Sequence, residues 1–240
     1  MVGKSQIKFI KSLQQKKYRA LHKLFVVEGV KTVKELLASR LKNYQVYVSD
    51  PSVLPPNTEG MTLVAEGDLK KMSSLTTPNK VLGVFHMPEE KEIDFSNWVV
   101  ALDDVRDPGN LGTIIRLCDW FGIPTLLCSS ATVDCYNPKT LQATMGSITR
   151  VNIVYANLHS VLQEVKVPVY GAFMEGKLVY GEKMPETGIL VMGNEANGVS
   201  KSIEALVAKK ISIPQFGTTA TESLNVATAT AILLNEIRRS

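Results

Sequence analysis

From residue 98 onward, short apolar runs alternate with stretches of helical spacing. The runs at 98–102, 124–128, 151–155, 167–173, 189–192 and 210–213 read as strands. Between and after them, 110–121, a stretch starting near Pro138, 158–165, 200–208 and 224–238 repeat apolar positions at helical intervals. Alternation of this kind predicts an α/β domain with a mostly parallel sheet covered on both faces. The earlier part of the chain is patterned differently. Ile7, Phe9, Ile10 and Leu13 lie among lysines and predict a short basic amphipathic helix over 5–18. A strand at 24–27 and a helix at 29–39 follow, the helix carrying Val30, Val33, Leu36 and Leu37 on one face. Further strands are predicted at 44–48, 62–65 and 81–85, with Pro51, Pro55 and Pro56 marking a loop. The stretch 86–97, with Pro88 and the run Glu89-Glu90-Lys91-Glu92, reads as a linker. The expectation is a small α/β domain over 1–92 and a larger one over 93–240.

Composition adds little until charge is resolved along the chain. The 240 residues are 45% hydrophobic and 21% charged, which suits one large domain or two smaller ones. No apolar run approaches the roughly 20 residues of a membrane span, and the first 24 residues hold no signal-like apolar block, so a cytoplasmic protein without membrane attachment is expected. The net charge of +4 divides into +9 over residues 1–42 and −5 over the remainder. A basic segment on a mildly acidic body suits a polyanion partner, although a solvated helix face would carry the same charge.

Several chemistries are excluded or weakened. Cys118, Cys128 and Cys135 form no C-x-x-C pair, so buried thiols are expected in place of a disulfide framework or zinc site. His22, His86 and His159 are scattered, and no metal site is expected. No two glycines are separated by a single residue, which removes the G-x-G dinucleotide loop; a phosphate-binding lysine loop and a G-x-S-x-G elbow are also absent.

Three polar, glycine-bearing clusters remain, each following a strand-like run. In the first, Pro108 and Gly109 make a turn, Asn110 is placed to cap the next helix, and Arg116 comes six residues later among Ile114, Ile115 and Leu117. An arginine in apolar surroundings needs a partner, either an anionic ligand or a structural carboxylate such as Asp103 or Asp104. The second is Gly193-Asn194-Glu195-Ala196-Asn197-Gly198, followed by Ser200 as a candidate cap. Its glycines let backbone approach a flat heterocycle, although a plain strand-to-helix connection has the same look. The third runs from Ile213-Pro214 to Ser223-Leu224-Asn225; Ser223 reads as an N-cap, and Asn225 falls inside the predicted helix. Three strand ends converging on one pocket is where an open α/β sheet places its ligand.

Taken together, the clusters resemble the SpoU (TrmH) family of RNA ribose 2′-O-methyltransferases of the SPOUT superfamily. The match runs over about 98–239. Asn110 and Arg116 match the first family motif, Gly193, Asn194, Glu195 and Gly198 the second, and Ile213, Pro214, Ser223, Leu224, Asn225 and Val226 the third. Ala196 stands where the family often has glycine, and 217–222 is a long polar approach to Ser223. The resemblance implies an α/β domain with a C-terminal trefoil knot, bound S-adenosylmethionine and a homodimer with its site near the subunit interface. Phe25-Val26-Val27-Glu28-Gly29 before a helix is similar to the L30e-like RNA-binding domain that many such enzymes carry.

The resemblance also implies roles for individual residues. Met192, Gly193, Asn194, Gly198, Ile213, Pro214, Ser223 and Leu224 are expected to form the cofactor pocket. Arg116, Asn110, Glu195, Ser223 and Asn225 are expected to act on the ribose. The family assigns the arginine matching Arg116 the part of a base; the resistance of a guanidinium to deprotonation favours oxyanion stabilisation and phosphate anchoring instead. Asn110 would hold Arg116 or the ribose, and Glu195 would orient Arg116 or a loop. The expected substrate is RNA, ribosomal RNA ahead of transfer RNA, because compact tRNA-modifying relatives often lack an N-terminal domain. A transfer RNA 2′-O-methyltransferase and a non-catalytic RNA-binding assembly protein of the same fold are the alternatives.

Overall fold

The computed structural model describes residues 2–217 and 223–239; of the polar approach at 217–222, all but Gly217 lies outside the described residues. Cα proximity divides the chain into two compact units, one of Met1–Glu89 with Asp134–Thr149, the other of Glu90–Val133 with Arg150–Ser240.

The first unit opens with α1 (Lys4–Ser12) and α2 (Lys16–His22), followed by β1 (Leu24–Glu28), α3 (Val30–Leu37), β2 (Asn43–Val48), β3 (Met61–Leu63), α4 (Glu66–Met72) and β4 (Val81–His86). The single helix expected over 5–18 is two. Leu13 is buried, and the guanidinium of buried Arg19 donates to the carbonyls of Leu13 at 3.0 Å and Gln14 at 2.7 Å, satisfying the carbonyls freed where α1 stops. The helix α4 is too short for periodicity to show; Leu69 and Met72 are its buried positions. The sheet order is β1-β4-β2-β3, antiparallel except for β2 with β3. Ile10, Leu13, Leu69 and Met72 pack with Leu24, Val26, Tyr47, Leu82 and Val84 of the sheet. Residues 134–149 group with this unit for identifiable reasons. Asp134 pairs with Arg19, and the ring of Tyr136 lies 4.7 Å from that of Phe25.

The second unit starts with β5 (Val99–Leu102), α5 (Pro108–Trp120) and β6 (Thr125–Ser129). After α6 (Pro138–Thr144) of the first unit come β7 (Asn152–Ala156), α7 (Leu158–Glu164), β8 (Val169–Leu178), β9 (Ile189–Met192), α8 (Lys201–Glu204), β10 (Lys209–Ser212) and α9 (Val226–Arg239). Its six strands run in the order β10-β8-β9-β5-β6-β7 and every pairing is parallel. All four residues of β5 and of β9 are buried, as a sheet covered on both faces requires. Leu158, Leu162, Val199 and Ile203 pack with Val99, Ala101, Leu127 and Val191 of the sheet. Leu111, Ile114, Ile115 and Cys118 of α5 and Leu233, Leu234 and Ile237 of α9 are buried as well. The helix α8 is shorter than the 200–208 expected, because Ala208 already donates to the Val169 carbonyl at 2.9 Å and joins the sheet.

The topology fixes where a ligand can sit. The chain lays β5, β6 and β7 outward, then returns to place β8 and β9 on the other side of β5. Crossovers leave the β5/β9 junction in opposite directions, and the crevice at its carboxyl end is the natural binding position.

Candidate active site

The three clusters occupy this carboxyl edge, and each is held by its own backbone chemistry. Asp107, not Asn110, caps α5: its Oδ1 accepts from Asn110 N at 2.7 Å, with Pro108 in the first turn. Asn110 therefore sits one turn inside the helix with its side-chain amide free to reach sideways. Similarly, Asn225 is the cap of α9 and not an interior residue. Its Oδ1 accepts from Ala227 N at 2.9 Å and Thr228 N at 3.2 Å, which displaces Ser223 from the capping part expected of it. Ser200 occupies the N-cap position of α8 without a side-chain capping bond; its N–H donates to Oδ2 of buried Asp103 at 2.8 Å.

The second cluster is a tight loop closed on itself. Asn194 and Gly198 exchange backbone hydrogen bonds at 2.9 Å each way, and Asn194 Oδ1 accepts from the N–H groups of Ala196 and Asn197. Asn194 Nδ2 donates to the Asp104 carbonyl at 2.6 Å, tying the loop to the end of β5. A Cβ on Gly193 would overlap the backbone of Gly198 and Val199, and Gly198 has φ +67°, so both glycines are required by the loop.

A hydrogen-bonded chain then joins all three clusters. Asn225 Nδ2 donates to Asn110 Oδ1 at 2.8 Å, and Asn110 Nδ2 donates to Glu195 Oε1 at 2.9 Å. One amide thus reads a donor and an acceptor from two loops distant in sequence. Beside this chain lies a cleft of about 1320 Å³. Met192, Gly193, Asn194, Gly198, Ile213, Pro214, Ser223 and Leu224 all line it, as do Glu195 and Asn225. Its wall also includes Phe173, Met174, Glu175 and Lys210, which strand patterning alone did not mark. The cause lies in the β8–β10 ladder, whose register jumps from Lys210↔Gly171 to Ile211↔Lys177 and leaves 172–176 bowed along the cleft. No signal in the sequence specifies that jump.

Arg116 is placed otherwise than its apolar neighbours suggested. It is exposed on α5, while Ile114, Ile115 and Cys118 fill the buried side. Asp103 and Asp104, the structural partners considered for it, are engaged by Ser200 and by a two-pronged pairing with Arg106 at 2.8 Å. Among the described residues Arg116 has no ion pair, and its charge stays available on the surface next in line from Asn110 and Thr113 at helical spacing. Among the described residues there is also no cluster of metal-ligating side chains, and no helix is long and apolar enough to cross a membrane. The three cysteines are buried, and burial holds the Cys118 thiol well above its ordinary pKa.

The sequence and fold have close counterparts. Residues 97–235 match the SpoU rRNA Methylase family, and residues 4–83 match the MRM3-like substrate binding domain. The chain is 34% identical over 240 residues to the 23S rRNA (guanosine(2553)-2′-O)-methyltransferase RlmP of Bacillus subtilis, an alignment covering 97% of this chain and 96% of that one. A TrmH-family protein from Porphyromonas gingivalis superposes with a TM-score of 0.90 at 38% identity, covering 100% and 99% of the two chains. An AdoMet-bound rRNA methyltransferase from Sinorhizobium meliloti does so with a TM-score of 0.86 at 30% identity, covering 100% and 97%. With its motifs gathered at one strand edge and its whole length matched, this chain belongs to the SpoU rRNA methylase family, joined to an MRM3-like substrate-binding domain.

Proposed function

We propose that the protein transfers a methyl group from S-adenosylmethionine to a ribose 2′-hydroxyl of 23S ribosomal RNA. The observation that carries the reading is the Asn225–Asn110–Glu195 chain, which locks the three motifs together beside a cleft large enough for a nucleoside cofactor. The cleft's chemistry fits that group: an apolar side from Met192, Val226 and Leu233, and a polar rim from the 193–198 loop. Met192, Gly193, Asn194, Gly198, Ile213, Pro214, Ser223 and Leu224 would hold it. When bound, S-adenosylmethionine supplies an electrophilic sulfonium methyl.

The chain's own residues then have a definite division of labour. The Arg116 guanidinium stabilises the oxyanion developing on the 2′-oxygen and anchors a neighbouring phosphate, while the hydroxyl proton leaves to water or to an RNA phosphate. Asn110 holds the loops of Glu195 and Asn225 in register, and does not itself grip Arg116. Ser223 and Asn225, which line the cleft, place the ribose. In this reading residues 1–92 form the RNA-binding domain and 93–240 the catalytic domain, except that 134–149 group with the first unit, and the active species is a homodimer. Trp120, 84% exposed on the same helix as Arg116, supports a subunit contact there.

Incubating the protein with tritiated S-adenosylmethionine and separated ribosomal and transfer RNA, then digesting to nucleosides, tests the reading. A labelled 2′-O-methyl nucleoside from 23S RNA is expected. Label in a base, or in transfer RNA alone, would replace it.

A further inference from the structure

We propose that the first unit carries a stacking site for an unpaired RNA base, built on Tyr44 and flanked by Lys23 and Lys42. The inference rests on the reading of the chain as an RNA-modifying enzyme and adds the place where RNA outside the reaction centre is gripped. Tyr44 is 49% exposed although it lies in a sheet strand, at the point where the β2–β4 register shifts between Asn43 and Gln45. The shift turns its ring out of the core and onto the surface beside the end of β4. There it meets other rings. His86 lies 5.9 Å away at 72° and Phe9 6.3 Å away at 56°, and Phe9 in turn meets His22 at 5.0 Å and 79°. Tyr44, His22 and His86 are all exposed. Rings meeting edge to face leave aromatic faces uncovered, which a parallel stack buried in a core would not.

Lysines flank this cluster, while Glu89 and Glu90 follow the end of β4. The Lys42 carbonyl accepts from His86 N at 2.9 Å and the Lys23 carbonyl from Met87 N at 2.8 Å, so both lysine backbones bracket the end of β4. Lys8 precedes Phe9 on α1, and all three lysines are exposed. Aromatic faces interleaved with lysines, beside and partly within the 1–42 segment of net charge +9, complement a single-stranded polyanion whose bases offer flat π faces. A protein partner would call for a larger apolar surface free of this density of charge.

The test uses the full-length protein and a fluorescent 12-nucleotide single-stranded RNA of mixed sequence, read by anisotropy over a salt series. Tyr44→Ala should weaken binding about tenfold, and Tyr44→Phe should bind within about twofold of the parent, because the stacking face survives. Lys42→Gln should weaken binding and reduce the salt slope by about one, whereas Tyr44→Ala should leave the slope unchanged. In methyl transfer, Tyr44→Ala should raise KM for RNA with kcat retained. Binding of Tyr44→Ala equal to the parent, with unchanged thermal unfolding, overturns the site, as does an equal loss in Tyr44→Ala and Tyr44→Phe. Absence of methyl transfer in the parent itself would instead overturn the proposed reaction, and leaves the oligonucleotide result to stand or fall separately.

Discussion

Asn110 and Asn225, 115 residues apart in sequence, share a side-chain hydrogen bond of 2.8 Å, and the other end of the Asn110 amide is spent on Glu195. The amide accepts at its oxygen and donates at its nitrogen, as these two partners require. Asn110→Asp keeps the acceptor but sets a carboxylate against Glu195, so the second loop should be pushed away. Methyl transfer is expected to fall roughly 10²-fold, as a displacement of about 1 Å can cost, with cofactor affinity changed far less. Single-turnover transfer beside calorimetric titration separates the two; equal losses in both would place Asn110 in cofactor binding instead.

Arg116→Lys probes the chemistry directly. The residue is exposed, so its loss should change stability by no more than about 0.5 kcal/mol. A lysine keeps the charge but loses the planar fork, and transfer should drop about 10²–10³-fold with cofactor binding intact. Full activity in this variant would remove Arg116 from the reaction.

Much of this architecture was legible in the residues. Short, fully apolar runs such as 99–102 and 189–192 suit interior strands, and the strand-helix alternation around them points to a covered parallel sheet. The three clusters declared their place because each comes after a strand. What escaped was set by contacts distant in sequence. The caps of α5 and α9 lie two to three residues from the positions the sequence favours, since Asp107 and Asn225 compete with equally plausible neighbours and geometry alone decides. The exposure of Arg116 could not be seen either: apolar neighbours one and two positions away lie on other faces of a helix. Nor could the return of residues 134–149 to the first unit be read, because the Arg19–Asp134 pair spans 115 residues.

Gly193→Ala should act on the loop before it acts on chemistry. The added methyl has no room against the backbone of Gly198 and Val199, neither of which is a flexible side-chain end. Overpacking of this kind costs about 1–3 kcal/mol, and the 193–198 loop should shift, weakening S-adenosylmethionine binding by more than roughly tenfold on the proposed reading. Urea unfolding and calorimetry measure both; unchanged cofactor affinity would show that the loop is not part of the cofactor site.

The Arg19–Asp134 pair predicts how residues 134–149 are held. Arg19 is 3% exposed and Asp134 14%, so neither charge is well solvated. Arg19→Ala would leave the half-buried Asp134 carboxylate without its cation and release the carbonyls of Leu13 and Gln14, at a cost of about 3 kcal/mol. Replacing both partners with apolar residues should cost less than the single change, because no charge is left unpaired. Chemical denaturation of the single and double variants gives the comparison. Asp134 Oδ1 also accepts from Tyr136 N at 3.0 Å, so a double variant less stable than Arg19→Ala would mean that this turn outweighs the unpaired charge.

Trp120 carries the proposed subunit contact. A side chain of this size left 84% exposed is an anchor in search of a pocket, and tryptophan is among the residues that dominate interface energies. It lies four residues beyond Arg116 on α5, so a partner seated over it would also cover the approach to the arginine. Trp120→Glu puts a charge at the centre of that contact and, being exposed, should leave the fold of the single chain intact. Light scattering after size exclusion should give the mass of a dimer for the parent and of a monomer for the variant, with transfer lost alongside and S-adenosylmethionine affinity reduced wherever the partner completes the cleft. A dimer mass for both would move the interface elsewhere on the surface. A parent that is already monomeric would remove the partner from the mechanism and leave Arg116 to act within one chain.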